Sequence, residues 1–186
     1  VNYAVALYGT NATYTLLNVI DRPRGGERTM ISIDDIMEKD AKDGLAKQQA
    51  QLNEAFADQG ISFETHYSFG KLQFIIDGCH AAGEADVVVM GTTGASGLKE
   101  LLVGSNASEV IEGVKCPVIT VPIGTERSRP SHIVLACDLK KGCKRETLAP
   151  LTAIALQLGA KVTVLHVVTT DAEAGESPEP RRLGLQ

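Results

Sequence analysis

Aromatic residues are scarce in this sequence, and tryptophan is absent. Phenylalanine, tyrosine and tryptophan together make up 4% of the 186 residues, while hydrophobic residues of all kinds make up 44%. A core must therefore be built mainly from valine, isoleucine, leucine and alanine. That composition is typical of parallel strands buried beneath helices, and a hydrophobic share of this size is ordinary for a globular protein.

The sequence lacks the features expected for several classes of partner and site. The net charge is −5 and the positive residues are not clustered, so nucleic-acid binding, which depends on clustered positive charge, is not expected. No apolar run reaches the about 20 residues that cross a bilayer, so no membrane partner is expected either. The four cysteines form no CxxC pair, so we predict no metal site. Their usage fits a reducing cytosol and predicts a cytoplasmic protein.

Strand and helix patterns alternate along the chain. Strand patterns are short apolar or alternating runs, whereas helical patterns repeat apolar residues every three or four positions. Such alternation indicates right-handed crossovers and a doubly wound parallel sheet with helices on both faces, an α/β architecture. The third strand has apolar residues on both of its faces, which predicts a central strand buried on both faces. Strands are predicted at 14–20, 63–69, 86–90, 117–122, 132–138 and 161–168, with helices at about 32–56, 72–83, 98–102, 107–114 and 144–158.

The chain also contains an internal repeat. The segment from Ala4 to Val19 matches the segment from Ala153 to Val167 with one residue of slack. Self-similarity at this separation indicates two copies of one domain type. We predict a first domain at 1–122 that lacks its first strand, a linker at 123–131, and the beginning of a second domain with a polar tail at 132–186.

The two copies differ in what precedes the matched segment. In the second copy a strand at 132–138 comes before it, and in the first copy no strand does. The pattern is that of a chain that starts inside a helix of the first repeat and stops after the second strand of the second. One hypothesis is that strand 132–138 fills the vacant first position of the first sheet, from the same chain or from another protomer.

A glycine-rich constellation follows the third predicted strand. Gly91 ends the strand, Gly94 comes three positions later, and Gly104-Ser105 follows after nine more residues. Ligands of open parallel sheets bind at the carboxyl ends of strands, where glycines let the backbone approach a phosphate and leave N–H groups free. Ser105 is predicted to cap a helix beginning near Asn106, whose N-terminus would attract an anion. Ordinary turn glycines are the less favoured alternative, because the spacing, the strand and the capped helix coincide.

Catalytic motifs are missing from the sequence. There is no G-x-x-x-x-G-K-[ST] loop and no G-x-G-x-x-G fingerprint, and the four histidines are scattered. An enzyme of the same broad fold that transfers phosphoryl or adenylyl groups remains an alternative, with at most weak ATPase or autophosphorylation activity expected. Another alternative is a dimerising scaffold that uses the apolar strand at 118–121, with nucleotide binding incidental.

The spacing of G-x-x-G, nine residues, then G-S resembles the nucleotide signature of ATP-binding members of the universal stress protein family. The resemblance covers residues 1–122 as one copy and 131–168 as the front of another. It implies a tandem-repeat member with the Rossmann-like, adenine-nucleotide alpha-hydrolase-like fold. The neighbouring text that carries it comprises Ala85-Asp86, Met90-Gly91-Thr92, Ser96-Gly97-Leu98, Leu101-Leu102-Val103 and Cys116-Pro117-Val118.

The resemblance also implies roles for individual residues around ATP, with or without Mg²⁺. Val19 would pack against adenine, and the family's aspartate at the end of its first strand has a counterpart only in the second repeat, Asp138. The implied function is a nucleotide-dependent regulator of the stress response that acts through conformation and dimerisation. A homodimer, or pairing of the two repeats through the last strand of the domain, is implied as well. The phosphates would be held by Gly94, Gly104, Ser105 and Asn106, mainly through N–H groups, and the ribose and base side would be lined by Met90, Gly91 and Thr93.

Overall fold

A computed structural model describes residues 1–21, 33–92, 104–126, 128–137 and 145–166. The chain divides into two compact units, Val1–Ser128 and Arg129–Gln186. Both units combine helices with parallel strands. Among the described residues, no helix is long and apolar enough to cross a membrane.

The first half of the first unit is a parallel strand pair accompanied by two helices. In chain order its elements are helix α1 (Asn2–Tyr8), strand β1 (Tyr14–Ile20), helix α2 (Ile33–Ala55) and strand β2 (Phe63–Phe69). β1 and β2 run parallel, with Tyr14 opposite Phe63 and Ile20 opposite Phe69.

One apolar cluster holds this half together. Its buried members are Val5 of α1, Phe56 just beyond α2, Ile61, and Phe63 of β2. The ring of Phe63 lies 5.3 Å from that of Tyr14 and 5.7 Å from that of Phe56, centre to centre. These side chains give this half a core of its own. Burial of apolar surface stabilises the folded protein by roughly 25 cal/mol per Å².

The second half of the first unit repeats the same plan. Its elements are helix α3 (Leu72–Ala81), strand β3 (Val88–Gly91), helix α4 (Ser105–Gly113) and strand β4 (Val118–Val121). β3 and β4 run parallel, with Val88 opposite Val118 and Gly91 opposite Val121. A second cluster of buried residues lies between these helices and strands and comprises Ile76, Val110 and Cys116.

The helices pack in pairs that match double winding. Residues of α1 and α2 meet in the first cluster and residues of α3 and α4 in the second. Helices that alternate with parallel strands in this way are expected of the doubly wound class. The predicted doubly wound α/β class is confirmed. Its parallel strands nevertheless form separate two-stranded sheets, β1–β2 and β3–β4.

Strand β3 is less buried than predicted. Val88, Val89 and Met90 are half-buried and Gly91 is exposed, so the expectation of a strand buried on both faces is wrong. The physical reason is that, among the strands of the described residues, β3 is hydrogen-bonded to β4 alone.

The second unit contains a third parallel pair. Strand β5 (His132–Ala136), helix α5 (Arg145–Leu158) and strand β6 (Lys161–Leu165) are its described elements. β5 and β6 run parallel, with His132 opposite Lys161 and Ala136 opposite Leu165. The interpretation of this unit as the beginning of a second repeat stays a prediction, as do the domain limits at 122 and 132.

The three cysteines of the described residues are in two chemical states. Cys79 and Cys116 are free thiols, and Cys137 is disulfide-bonded. A disulfide is uncommon in a reducing cytosol, so this bond does not follow from the cytoplasmic prediction. Burial, together with the negative charges of Asp77 and Asp86, raises the pKa of the Cys116 thiol, as expected for a residue that packs as a small hydrophobe.

Candidate nucleotide site

The carboxyl end of β3 forms the centre of the candidate site. The N–H of Val88 donates to the carbonyl of Pro117 at 2.9 Å, and the N–H of Thr92 donates to the carbonyl of Val121 at 3.3 Å. In a parallel ladder the residues that face a given neighbour alternate along the strand. The amide of Gly91 therefore points away from β4, towards a side where no further strand of the described residues pairs with β3.

A hydrogen bond ties the end of β3 to the start of α4. The N–H of Gly104 donates to the carbonyl of Thr92 at 2.7 Å. The bond holds Thr92 and Gly104 together. The residues between them, 93–103, lie outside the described residues. The bond also uses the Gly104 amide internally. Of the predicted phosphate donors, Gly104 can serve only by shaping the backbone, because its N–H is already engaged.

The cap of α4 differs from the prediction. The helix begins at Ser105, and Gly104 is the N-cap residue, with φ −61° and ψ 156° and no capping side chain. The predicted cap by Ser105 is therefore wrong. Glycine is an acceptable N-cap. The bond from its N–H to Thr92 holds Gly104 in an extended conformation, so the helix begins one residue earlier than predicted.

The first turn of α4 presents backbone amides that have no acceptor among the described residues. The first helical bond runs from the N–H of Ser108 to the carbonyl of Gly104 at 2.9 Å. The N–H groups of Ser105 and Asn106 precede it and donate to no acceptor in the described part of the chain. Both residues are exposed, and no acidic residue lies in the first turn. Free amides and the positive end of the helix dipole together favour an anion here.

A cavity of about 370 Å³ lies beside the end of β3. Its size falls within the usual range of small-ligand sites. Two predicted site residues, Met90 and Gly91, line it. The remaining walls come from the first three residues of the chain, from Val89, from 121–123 and from Thr125.

Val19 lies apart from this cavity. It is half-buried near the end of β1 and is not among the residues lining the cavity. The carboxyl ends of β1 and β2 are joined by a bond from the N–H of Gly70 to the carbonyl of Ile20 at 3.0 Å. Just beyond, the Nζ of Lys71 lies 2.7 Å from Asp21 Oδ2 in an exposed ion pair.

The predicted site residues thus have different outcomes. Met90 and Gly91 share a cavity wall, Ser105 and Asn106 share a helix N-terminus, and Gly104 links that helix to β3. Thr93 and Gly94 lie outside the described residues. None of the eight predicted side chains carries a titratable group.

Some residues that line the cavity do not belong to the glycine motif. Pro122 and Ile123 directly follow β4, and the rule that ligands gather at the carboxyl ends of parallel strands could have singled them out. Asn2 and Tyr3 are brought to the cavity by the tertiary position of α1, which no local pattern encodes. In the described ranges, no group of three or more histidine, cysteine or acidic residues is placed to hold a metal ion.

The fold and this edge define the class as a doubly wound, Rossmann-like α/β protein. Within that class, the model of the universal stress protein family matches residues 1–122. The match spans well over half of the chain. The chain belongs to the universal stress protein family.

Individual relatives agree with this assignment. The chain is 34% identical to universal stress protein YxiE of Bacillus subtilis over 89 residues, which are 48% of this chain and 60% of that protein. It is 53% identical to universal stress protein MJ0531 of Methanocaldococcus jannaschii over 38 residues, which are 20% of this chain and 22% of that protein. The chain therefore matches less than two thirds of the length of either relative.

Among solved structures, universal stress protein UspA from Lactobacillus plantarum is similar to this chain. It is 25% identical with a TM-score of 0.45, and the alignment covers 64% of this chain and 83% of that one.

Proposed function

We propose that this protein binds ATP or a related adenine nucleotide at the end of β3 and regulates the stress response according to the bound nucleotide. The observation that carries the proposal is the pair of exposed amides of Ser105 and Asn106, which donate to no acceptor in the described residues and which the bond between Gly104 and Thr92 holds beside β3. Backbone amides at a helix N-terminus bind phosphate without a lysine. Mg²⁺ would accompany ATP as part of the ligand.

Membership of the universal stress protein family supports the stress-response part of the proposal. Met90 and Gly91, which the family resemblance places on the ribose and base side, lie together in the wall of one half-open cavity. Regulation, and a cytoplasmic place of action, are proposed along with the ligand. A slow ATPase or phosphotransfer enzyme ranks lower, because the described candidates supply amides and no titratable group for proton transfer.

A proline at position 105 tests the site with little disturbance of the helix. Proline is tolerated at the first helical position, and the extended backbone of Gly104 suits a residue before proline. Ser105→Pro therefore removes one donor and keeps α4. A hydrogen bond to a charged group is worth roughly 1.5–3 kcal/mol, so we expect ATP affinity, measured by isothermal titration calorimetry, to fall about ten- to a hundredfold.

Ser105→Ala is the matched control, because it removes the hydroxyl and keeps the amide. It should bind ATP within about threefold of the parent protein, since the proposed donor is retained. Equal affinities of the proline and alanine variants would contradict the amide site. No heat of binding for the parent protein at millimolar ATP would contradict nucleotide binding altogether. GTP and inorganic triphosphate, titrated in parallel, report whether the base is recognised.

A dimerising scaffold is the second candidate. β4 pairs with β3 through one edge, and all four of its residues are half-buried rather than buried. Its outer edge can accept a strand from a second copy. If this candidate is correct, the protein forms an oligomer, and the Ser105→Pro variant has the same oligomeric mass. If assembly instead depends on nucleotide, ATP should change the oligomeric mass of the variant less than that of the parent protein.

A further inference from the structure

Helix α4 is hydrogen-bonded to its surroundings at both ends. At its start, the N–H of Gly104 donates to the carbonyl of Thr92 at 2.7 Å. At its other end, the N–H of Lys115 donates to Asp77 Oδ1 of α3 at 2.8 Å. One helix, whose first turn holds the proposed phosphate donors, is therefore tied to the end of β3 on one side and to α3 on the other.

The middle of α4 is fixed by packing. Val110 is 0% exposed and shares a buried cluster with Ile76 of α3 and with Cys116. Ala107, one turn earlier, is 3% exposed. Protein interiors are close-packed, so the centre of the helix is held in place. The direction of the helix then depends on what its two ends contact.

Two side chains of α3 reach α4. Gln73 and Asp77 are four residues apart and lie on one face of α3. Gln73 Nε2 donates to Glu109 Oε2 at 3.3 Å between exposed side chains, which is longer than most N–H···O bonds. The Asp77 bond is shorter, at 2.8 Å, and its acceptor is a carboxylate, the stronger kind of acceptor. Of the two contacts, the Asp77 bond is therefore the one expected to hold the helix.

The N–H of Lys115 lies beyond the helical hydrogen bonds of α4. The last of these bonds runs from the N–H of Val114 to the carbonyl of Val110 at 3.2 Å. Val114 itself is extended, with φ −101° and ψ 152°, so the next N–H does not continue the helix. Asp77 binds that N–H where the chain leaves α4, immediately before the buried Cys116.

We propose that Asp77 is a positioning residue of the nucleotide site, because it fixes the direction of α4 and thereby the position of the Ser105 and Asn106 amides. Lys115 follows Ser105 by ten positions, which is on the order of 15 Å along a helix. The carboxylate therefore acts through α4 and not by contact with the ligand. Loss of its bond frees the C-terminal end. Because the buried Val110 holds the centre, the helix then tilts and its first turn moves relative to β3.

The identity of the ligand rests on the proposed function, whereas the positioning of α4 does not. Hydrogen exchange of the nucleotide-free protein, followed by NMR, tests the positioning alone. The N–H of Ser108 bonds to Gly104 at the opposite end of α4, and Asp77→Ala should speed its exchange at least about fivefold. Alanine is the best helix former, so α3 itself should be kept. Asp77→Asn retains an oxygen acceptor and should exchange within about twofold of the parent protein.

ATP affinity tests the effect on the site. Asp77→Ala should weaken ATP binding about three- to thirtyfold in isothermal titration calorimetry, the range expected for a residue that couples to a site without contacting the ligand. Asp77→Asn should bind ATP within about threefold of the parent protein, because the acceptor is kept. The matched control is Asp43→Ala at an exposed position of α2. It should change neither the ATP affinity nor the exchange of the Ser108 N–H.

Coupling between two positions is reciprocal. Saturating ATP should therefore slow exchange of the Lys115 N–H in the parent protein, although that amide lies at the far end of α4 from the phosphates. In Asp77→Ala the same addition should leave the exchange of this N–H within about twofold of its nucleotide-free rate, because the link to α3 is gone. ATP that binds the parent protein without slowing Lys115 exchange would contradict the coupling.

Failure of the positioning and failure of the proposed function give different results. A parent protein that binds no ATP, with faster Ser108 exchange in Asp77→Ala, would contradict the proposed function and support the positioning of α4. A parent protein that binds ATP, with equal affinity in Asp77→Ala, would overturn the role of Asp77 and leave the nucleotide site standing. A lower urea midpoint of Asp77→Ala, with Ser108 exchange and ATP affinity unchanged, would show a role in stability alone and would overturn the positioning as well.

Discussion

At the scale of residues, Glu38, Lys42 and Tyr67 form a polar cluster that joins α2 to β2. The Tyr67 hydroxyl donates to Glu38 Oε1 at 2.7 Å, and the Nζ of Lys42 lies 2.7 Å from the same oxygen. That Nζ also lies 5.1 Å from the centre of the Tyr67 ring. The hydrogen bonds from Lys42 and Tyr67 hold the pKa of Glu38 below its usual value, so the cluster favours the ionised carboxylate.

The cluster predicts a pH-dependent contribution to stability. Because the pKa of Glu38 is lower in the folded than in the unfolded protein, its contribution is fully present above the unfolded value of about 4.3 and is lost as pH falls through the folded value. Glu38→Gln should lower the urea midpoint slightly at pH 7, since the carboxylate is partly exposed, and the difference should shrink as the pH falls below about 4.3. Glu54→Gln, at an exposed site of the same helix, should leave the midpoint unchanged over the same pH range. A difference for Glu38→Gln that grows on acidification would contradict the assignment.

At the scale of elements, α2 determines where β2 begins. Gln49 and Asn53 are four residues apart and therefore lie on one face of the helix. They engage the carbonyl and the N–H of Phe63, the first residue of β2, whose side chain is 2% exposed. The pair satisfies backbone groups that the ladder with β1 does not use.

Asn53→Ala should destabilise the first unit. It leaves the N–H of Phe63 without its acceptor, at a cost of about 1–3 kcal/mol. Gln51→Ala, which changes an exposed residue of the same helix, should alter stability by no more than about 0.5 kcal/mol. Urea unfolding followed by circular dichroism measures both, and equal losses in the two variants would indicate that the contact with Phe63 contributes nothing.

The elements themselves could be predicted from the sequence, because their periodicity is local. The strands at 14–20 and 63–69 have the predicted limits. The burial of Val88–Met90 could not be predicted, since an apolar run reveals a preference for an interior and not the presence of a neighbour. The N-cap residue of α4 could not be predicted either, because the backbone there makes a non-local bond, from the N–H of Gly104 to the carbonyl of Thr92. The cavity depends on α1, whose position is a property of tertiary packing.

At the scale of the whole molecule, the connection between the two units is accessible. Residues 122–126 are exposed, and the side chain of Ile123 is 84% exposed. Neither apolar cluster of the first unit contains a residue beyond 118. Cleavage in this connection should therefore leave the packing of the first unit intact, because exposed connections are the preferred sites of proteolysis.

A glutamate-specific protease should therefore cut first after Glu126 among the glutamates of the described residues, and Glu126→Gln should slow that cleavage at least tenfold. The fragment 1–126 should keep its helical circular dichroism, since both clusters remain whole. Mass spectrometry of the first cleavage product and circular dichroism of the purified fragment check both statements. Initial cleavage within α2 or α4 would contradict the prediction that the connection is the most accessible site. A fragment without helical signal would show that the first unit depends on the second for its fold.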